Sequence, residues 1–205
     1  MSSNSQTGIM PEIAKFEKVS IEQWLKVFED AAARSKEGGK LSDQDIEALK
    51  ADYENIKLPE RATSGSAGYD IFLPVDIPPI YPSYGIPVPT GIKCKIAPGW
   101  VMILAPKSGL GTRYKMRLDN TIGVIDSDYY NCEANEGHIM VSFSNELPPI
   151  TMTNTITQKQ EVPQELILNI PKGKAFVQAL FLPFGIVEGD RKEGTRTGGF
   201  GSTNT

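Results

Sequence analysis

From about Pro59 onward, proline and glycine become frequent and the apolar residues fall into short alternating runs. Many short strands at regular spacing, separated by turns of this kind, build an all-β sandwich or barrel. Candidate strands cover residues 69–73, 86–88, 91–96, 101–105, 116–126, 137–144, 150–157, 166–170 and 175–183. Ile150, Met152 and Ile156 alternate with threonines, the pattern of a strand with one wet face. No internal repeat is present, so one mainly β unit is expected.

Ahead of that unit the period changes. Ile21, Trp24, Leu25 and Phe28 recur at helical spacing, with Ser20 placed to cap and Gln23 three residues on. Gly38-Gly39 interrupts the pattern, and Ile46, Leu49, Tyr53 and Ile56 form a second stripe after Ser42. Residues 1–58 therefore read as a helical extension, an αα-hairpin with its apolar face on the β unit. Residues 59–190 form the core, and residues 191–205 a glycine-rich C-terminal arm expected to be flexible.

The charge narrows the partners. A net charge of -4 lacks the basic signature of a nucleic-acid binder, although a nucleotide site needs only local positive groups or a metal. Cys94 and Cys132 stand far apart in no metal-ligand spacing, which reads as reduced thiols in a cytoplasmic protein. No apolar run reaches the length of a membrane span, so no membrane partner is expected.

The chemistry concentrates at Gly123-Val124-Ile125-Asp126-Ser127-Asp128-Tyr129. A short apolar run passing into Asp-Ser-Asp reads as a strand entering an exposed turn. A carboxylate anchored there can be held and aimed as a general base, or can merely close an Asx-type turn. The arm is as ambiguous on its own residues. Phe200 among glycines, with basic and hydroxyl neighbours, fits either a frayed tail or a flap over a nucleotide.

Five stretches in order decide between these readings. They are Ala67-Gly68-Tyr69-Asp70, Pro106-Lys107-Ser108-Gly109-Leu110-Gly111, Asn120 through Tyr129, Gly173 with Gln178, and the arm from Gly198 to Thr203. Together they resemble the five motifs of the trimeric dUTP pyrophosphatases (dUTPases), over about residues 61–205. The resemblance implies a jelly-roll-like β-fold to which the helical hairpin is added. It also implies a homotrimer with active sites shared between subunits, and hydrolysis of dUTP to dUMP and pyrophosphate with magnesium.

It further implies roles. Asp126 aligns with the base that deprotonates the water attacking the α-phosphorus. Asn120 aligns with the uracil reader, completed by backbone groups of the hairpin through Gly123. Tyr129 would lie flat beneath the deoxyribose and leave no space for a 2′-hydroxyl. Lys107, Ser108 and the N–H groups of Gly109 and Leu110 resemble a phosphate-cradling turn. Gln178 would hydrogen-bond near the phosphates, Phe200 would stack on uracil, and Arg196, Gly201, Ser202 and Thr203 would close on the triphosphate. Magnesium would be held by phosphates and water, as this ion prefers, with Asp70 behind it or structural and no side chain as direct ligand.

The chain departs from the commonest pattern at Lys107, Lys174-Ala175, Tyr130-Asn131 and Arg196, and 147–170 reads as an inserted hairpin. His138, the lone histidine, falls outside the motifs and reads as structural. Two rivals remain: a dCTP deaminase of the same fold, and a dUTP-responsive regulatory protein whose partner meets the added elements.

Overall fold

The structure, a computed structural model, describes residues 11–35, 39–154, 158–191 and 194. Its elements are β1 (Ala14–Lys18), α1 (Ile21–Arg34), α2 (Asp43–Glu54), β2 (Glu60–Arg61), β3 (Tyr69–Phe72), β4 (Gly85–Pro89), β5 (Ile92–Ile96) and β6 (Trp100–Pro106). There follow α3 (Ser108–Tyr114), β7 (Met116–Leu118), β8 (Gly123–Ile125), β9 (Met140–Asn145), β10 (Met152–Thr153), β11 (Gln160–Glu161) and β12 (Ala175–Pro183).

All strand pairs are antiparallel. A five-stranded sheet runs in the order β2-β3-β12-β6-β8, and a three-stranded sheet in the order β4-β9-β7. Alternate residues of the central strands point between the layers, so Ile71, Met102, Leu104, Val141, Phe143, Val177 and Ala179 are all buried in one core. The mainly β architecture follows the proline and glycine punctuation.

The N-terminal helices also form as expected. Ser20 accepts the N–H of Gln23 and caps α1, while Ser42 and Asp45 make a reciprocal capping box at the start of α2. Trp24 is fully buried, its ring 4.8 Å from Phe28, and its indole N–H donates to the Leu49 carbonyl at 2.8 Å. That bond satisfies the one polar atom of an otherwise apolar side chain.

Four expectations need correction. The extension is not helical throughout: Ala14–Lys18 is a strand paired along its length with β5. Phe16 packs there against Tyr69 and Phe181, so tertiary pairing outweighs any local preference. The strand read over 116–126 is broken into β7 and β8, which join different sheets, by a tight turn in which Thr121 has φ 71°. No strand forms over 166–170; a 3-10 turn at Gln164–Leu166 leaves only Leu168 bridged to Ile80. Pro163 and Pro171, which lack an N–H to donate, flank that segment. The candidate strand 150–157 is reduced to β10, with 155–157 outside the described residues.

His138 lies fully buried beneath Trp24, its Nε2 accepting the Gly91 N–H at 2.8 Å. Nδ1 has no hydrogen-bond partner among the described residues. Burial pushes the imidazole down from 6.5 to about 4, against the smaller pull of Glu136. The unfolded chain then takes up this proton near its ordinary value while the folded chain resists until near pH 4. Stability should therefore fall as pH drops through that window, by about 3 kcal/mol in all. His138→Gln, which keeps an acceptor for Gly91, should flatten that part of the dependence of Tm on pH; an unaltered slope would assign it to other groups.

Candidate active site

The tight turn between β7 and β8 carries the chain from the three-stranded sheet to the five-stranded one. Thr121 donates its N–H to Leu118 O and Ile122 to Asn120 O, both at 2.8 Å, which folds Asn120 into the turn with its side chain exposed. Asp119 fixes the start of the turn by accepting from the hydroxyls of Ser142 and Ser144 on β9. Behind the turn, Gly123 lies level with Leu104 of β6. A Cβ there would stand 2.9 Å from the Leu104 Cβ, so only glycine lets β8 lie this close.

These elements enclose a cavity of about 360 Å³, lined among others by Leu104, Asn120, Gly123, Ile125, Tyr129 and Ser142. That volume is at the small end of ligand sites and takes a base with its sugar. Tyr129 is 5% exposed, and its hydroxyl points away, donating to His138 O at 2.9 Å. It also accepts from Asn135 Nδ2 at 2.8 Å, so what the residue offers the cavity is the body of its ring. Asp126 leaves β8 half-buried and begins a 3-10 turn, its carbonyl accepting the Tyr129 N–H at 3.2 Å.

A second group gathers on the same sheet. Gln178 of β12 lies level with Asp70 of β3 on one side and Ala105 of β6 on the other. Residues level across a sheet share a face, and Lys107, two beyond Ala105, extends that face. Its ammonium contacts both Asp70 oxygens, at 2.8 and 3.0 Å. At this partial exposure the pair is worth about 1 kcal/mol and serves chiefly to fix the two side chains. Gly68 packs directly over Gln178, where an added Cβ would come within 2.6 Å of its amide oxygen.

The Ser108-Gly109-Leu110 turn is in fact the first turn of α3. The Leu110 and Gly111 N–H groups already donate to Lys107 O at 3.0 and 2.9 Å. Leu110 is therefore not the free donor expected of it, while Ser108 and Gly109 are exposed at the helix start. Among the described residues, no group of three or more His, Cys, Asp or Glu is placed to hold a metal.

Asp126 and Lys107 do not meet within one chain. Ile125 pairs with Met102, so Asp126 stands level with Val101 and Lys107 lies six residues farther along β6. At 3.3 Å per residue that is about 20 Å, too far for one triphosphate to bridge in contact with both. Arg196, Phe200, Gly201 and Ser202 lie outside the described residues. Sequence reasoning missed Asp119, Ser142 and Asn135; Asp119 adjoins Asn120, but nothing local signals a serine on another strand.

Comparison with known proteins points one way. The sequence model of the dUTPase family matches residues 54–158. The chain is 36% identical over 162 residues to deoxyuridine 5′-triphosphate nucleotidohydrolase of Lactococcus lactis subsp. lactis (strain IL1403), covering 74% of this chain and 91% of that one. It is 35% identical over 149 residues to the protein of the same name from Paraburkholderia phymatum, covering 72% and 88%. Among solved structures, the dUTPase from Streptococcus mutans superposes with a TM-score of 0.52 at 32% identity, over 66% of this chain and 91% of that one.

Proposed function

The chain belongs to the dUTPase family and hydrolyses dUTP to dUMP and pyrophosphate, and we propose that it does so with Asp126 as general base in a site shared between subunits. The observation that carries this reading is the position of Asp126, at the exit of the strand whose residues, with Asn120 and Tyr129, line the nucleoside-sized cavity.

In the mechanism that follows, Asn120 and the β7–β8 backbone hydrogen-bond the base edge. A close-fitting pocket of this kind rejects thymine by its methyl group and cytosine by its donor pattern. The Tyr129 ring lies beneath the deoxyribose. Asp126 takes a proton from a water placed in line with the α-phosphorus, and pyrophosphate departs. Lys107, Ser108, Gly109 and Gln178 hold the phosphates from a neighbouring chain, and Arg196, Phe200, Gly201 and Ser202 close over the nucleotide. A magnesium ion fits the oxygen-rich triphosphate better than this chain's side chains, since Asp70 already engages Lys107. When bound, it neutralises phosphate charge and fixes the conformation of the triphosphate.

The roughly 20 Å between Asp126 and Lys107 along β6 supports assembly, because each then needs a complement from another copy. That the assembly is a homotrimer is what the family resemblance adds to this reading. The buried free cysteines Cys94 and Cys132 fit a reducing, cytoplasmic setting. No helix among the described residues is long and apolar enough to cross a membrane.

Turnover of dUTP and the four standard deoxynucleoside triphosphates, with and without magnesium, tests the assignment. Pyrophosphate should be released from dUTP alone and depend on the ion. Ammonia from dCTP would mark a deaminase instead, and tight dUTP binding without turnover a regulator; the relatives favour neither. Light scattering should give the mass of three chains at assay concentration, and an active monomer would overturn the shared site.

A further inference from the structure

The loop between Tyr129 and β9 is tied at both ends. Inside it, Asn135 Oδ1 accepts the Gly137 N–H at 3.1 Å and the Cys132 thiol at 3.0 Å, while Nδ2 reaches the Tyr129 hydroxyl at 2.8 Å. That hydroxyl in turn donates to His138 O at 2.9 Å. The ring is thus pinned at its polar end by two partners, both from this loop. Asn131, Glu136 and Gly137 all have positive φ, a sequence of left-handed residues that the surrounding bonds must hold in place.

The outer side of the loop is fastened to the N-terminal extension. Glu136 accepts both the N–H and the hydroxyl of Ser20, the residue that caps α1, and Lys93 Nζ lies 3.4 Å away. Lys93 also donates to Asn131 Oδ1 at 2.7 Å, and the Tyr130 hydroxyl donates to Glu17 of β1. Although burial works against it, these donors hold the Glu136 carboxyl below the usual carboxylate range. A carboxylate so engaged is a firm anchor for the segment that carries Asn135.

We propose that Asn135 is a positioning residue for sugar selection: by gripping the Tyr129 hydroxyl it keeps the ring flat on the cavity floor, and the β1–α1 segment holds the loop that carries it. The inference rests on the reading that Tyr129 lies beneath the deoxyribose. A ring free to tilt would open the space that a ribose 2′-hydroxyl needs. Deoxyribose has no group there, so dUTP turnover suffers less than discrimination does.

The test uses the full chain and the ratio of kcat/KM for UTP to that for dUTP. Both terms scale with the fraction of folded enzyme, so a purely structural loss leaves the ratio alone. Tyr129→Ala, the control for the underlying reading, should raise the ratio most. Asn135→Ala should raise it about tenfold. Tyr129→Phe removes the bond to Asn135 together with the one to His138 O, and should raise the ratio at least as far. The double variant Tyr129→Phe, Asn135→Ala should be no worse than Tyr129→Phe alone, since the Asn135 grip is already absent from that variant. A ratio raised by Tyr129→Ala but unmoved by Asn135→Ala overturns the role of Asn135 and leaves that of Tyr129 standing. A ratio unmoved by Tyr129→Ala removes the role of Tyr129 and this proposal with it.

Discussion

Asp126→Asn should lower dUTP turnover by about 10²–10⁴-fold while leaving dUTP affinity nearly unchanged. Asparagine has the same shape as aspartate, and the backbone bond from Tyr129 N–H to the carbonyl of residue 126 does not depend on the side chain. What disappears is the ability to take a proton from water. Because that interaction exists only as the reaction proceeds, the loss falls on kcat and not on binding. Steady-state kinetics with calorimetric titration of dUTP separates the two, and near wild-type turnover would remove Asp126 from the role of base. The variant also reports on assembly. Mixed with an inactive Lys107→Ala chain and reassembled, it should regain activity at about one site in four, where each partner supplies the intact half. Independent sites would recover nothing.

The second large effect is expected at the other end of the chain. Removing residues 194–205 should leave a folded trimer whose kcat falls by about a hundredfold, with a smaller loss of dUTP affinity. The affinity loss is bounded by the Phe200 contact, since stacking an aromatic on a base is worth about 1–3 kcal/mol. Exclusion of water from the reacting phosphorus acts on the transition state, so the larger loss appears in kcat. Full-rate hydrolysis by the truncated enzyme would assign the segment no part in catalysis.

The strands around the core were legible because their residues alternate and their turns carry proline and glycine. The helices were legible because Trp24, Phe28 and Leu49 repeat at the helical period, with Ser20 and Ser42 at their caps. β1 was hidden because Lys15 and Glu17 disguise a five-residue strand whose stability lies in its partner, β5. The grouping of Asn120, Gly123 and Tyr129 in one cavity could be anticipated from their closeness in sequence. The grips on them could not. Asp119 meets Ser142 and Ser144 more than twenty residues away, and Asn135 matters only because a strained loop returns it to Tyr129. Propensity and motif spacing carry no record of which distant hydroxyl or amide a side chain will find.

The separation of Asp126 from Lys107 along β6 also has a genetic meaning. If each site draws its two halves from different copies, a defective chain damages more than its own share. A chain altered at both ends of β6 would spoil one site through its base and another through its phosphate groups. With equal amounts of the two chains, such an allele would leave about a quarter of the sites intact, against about half for an enzyme with self-contained sites.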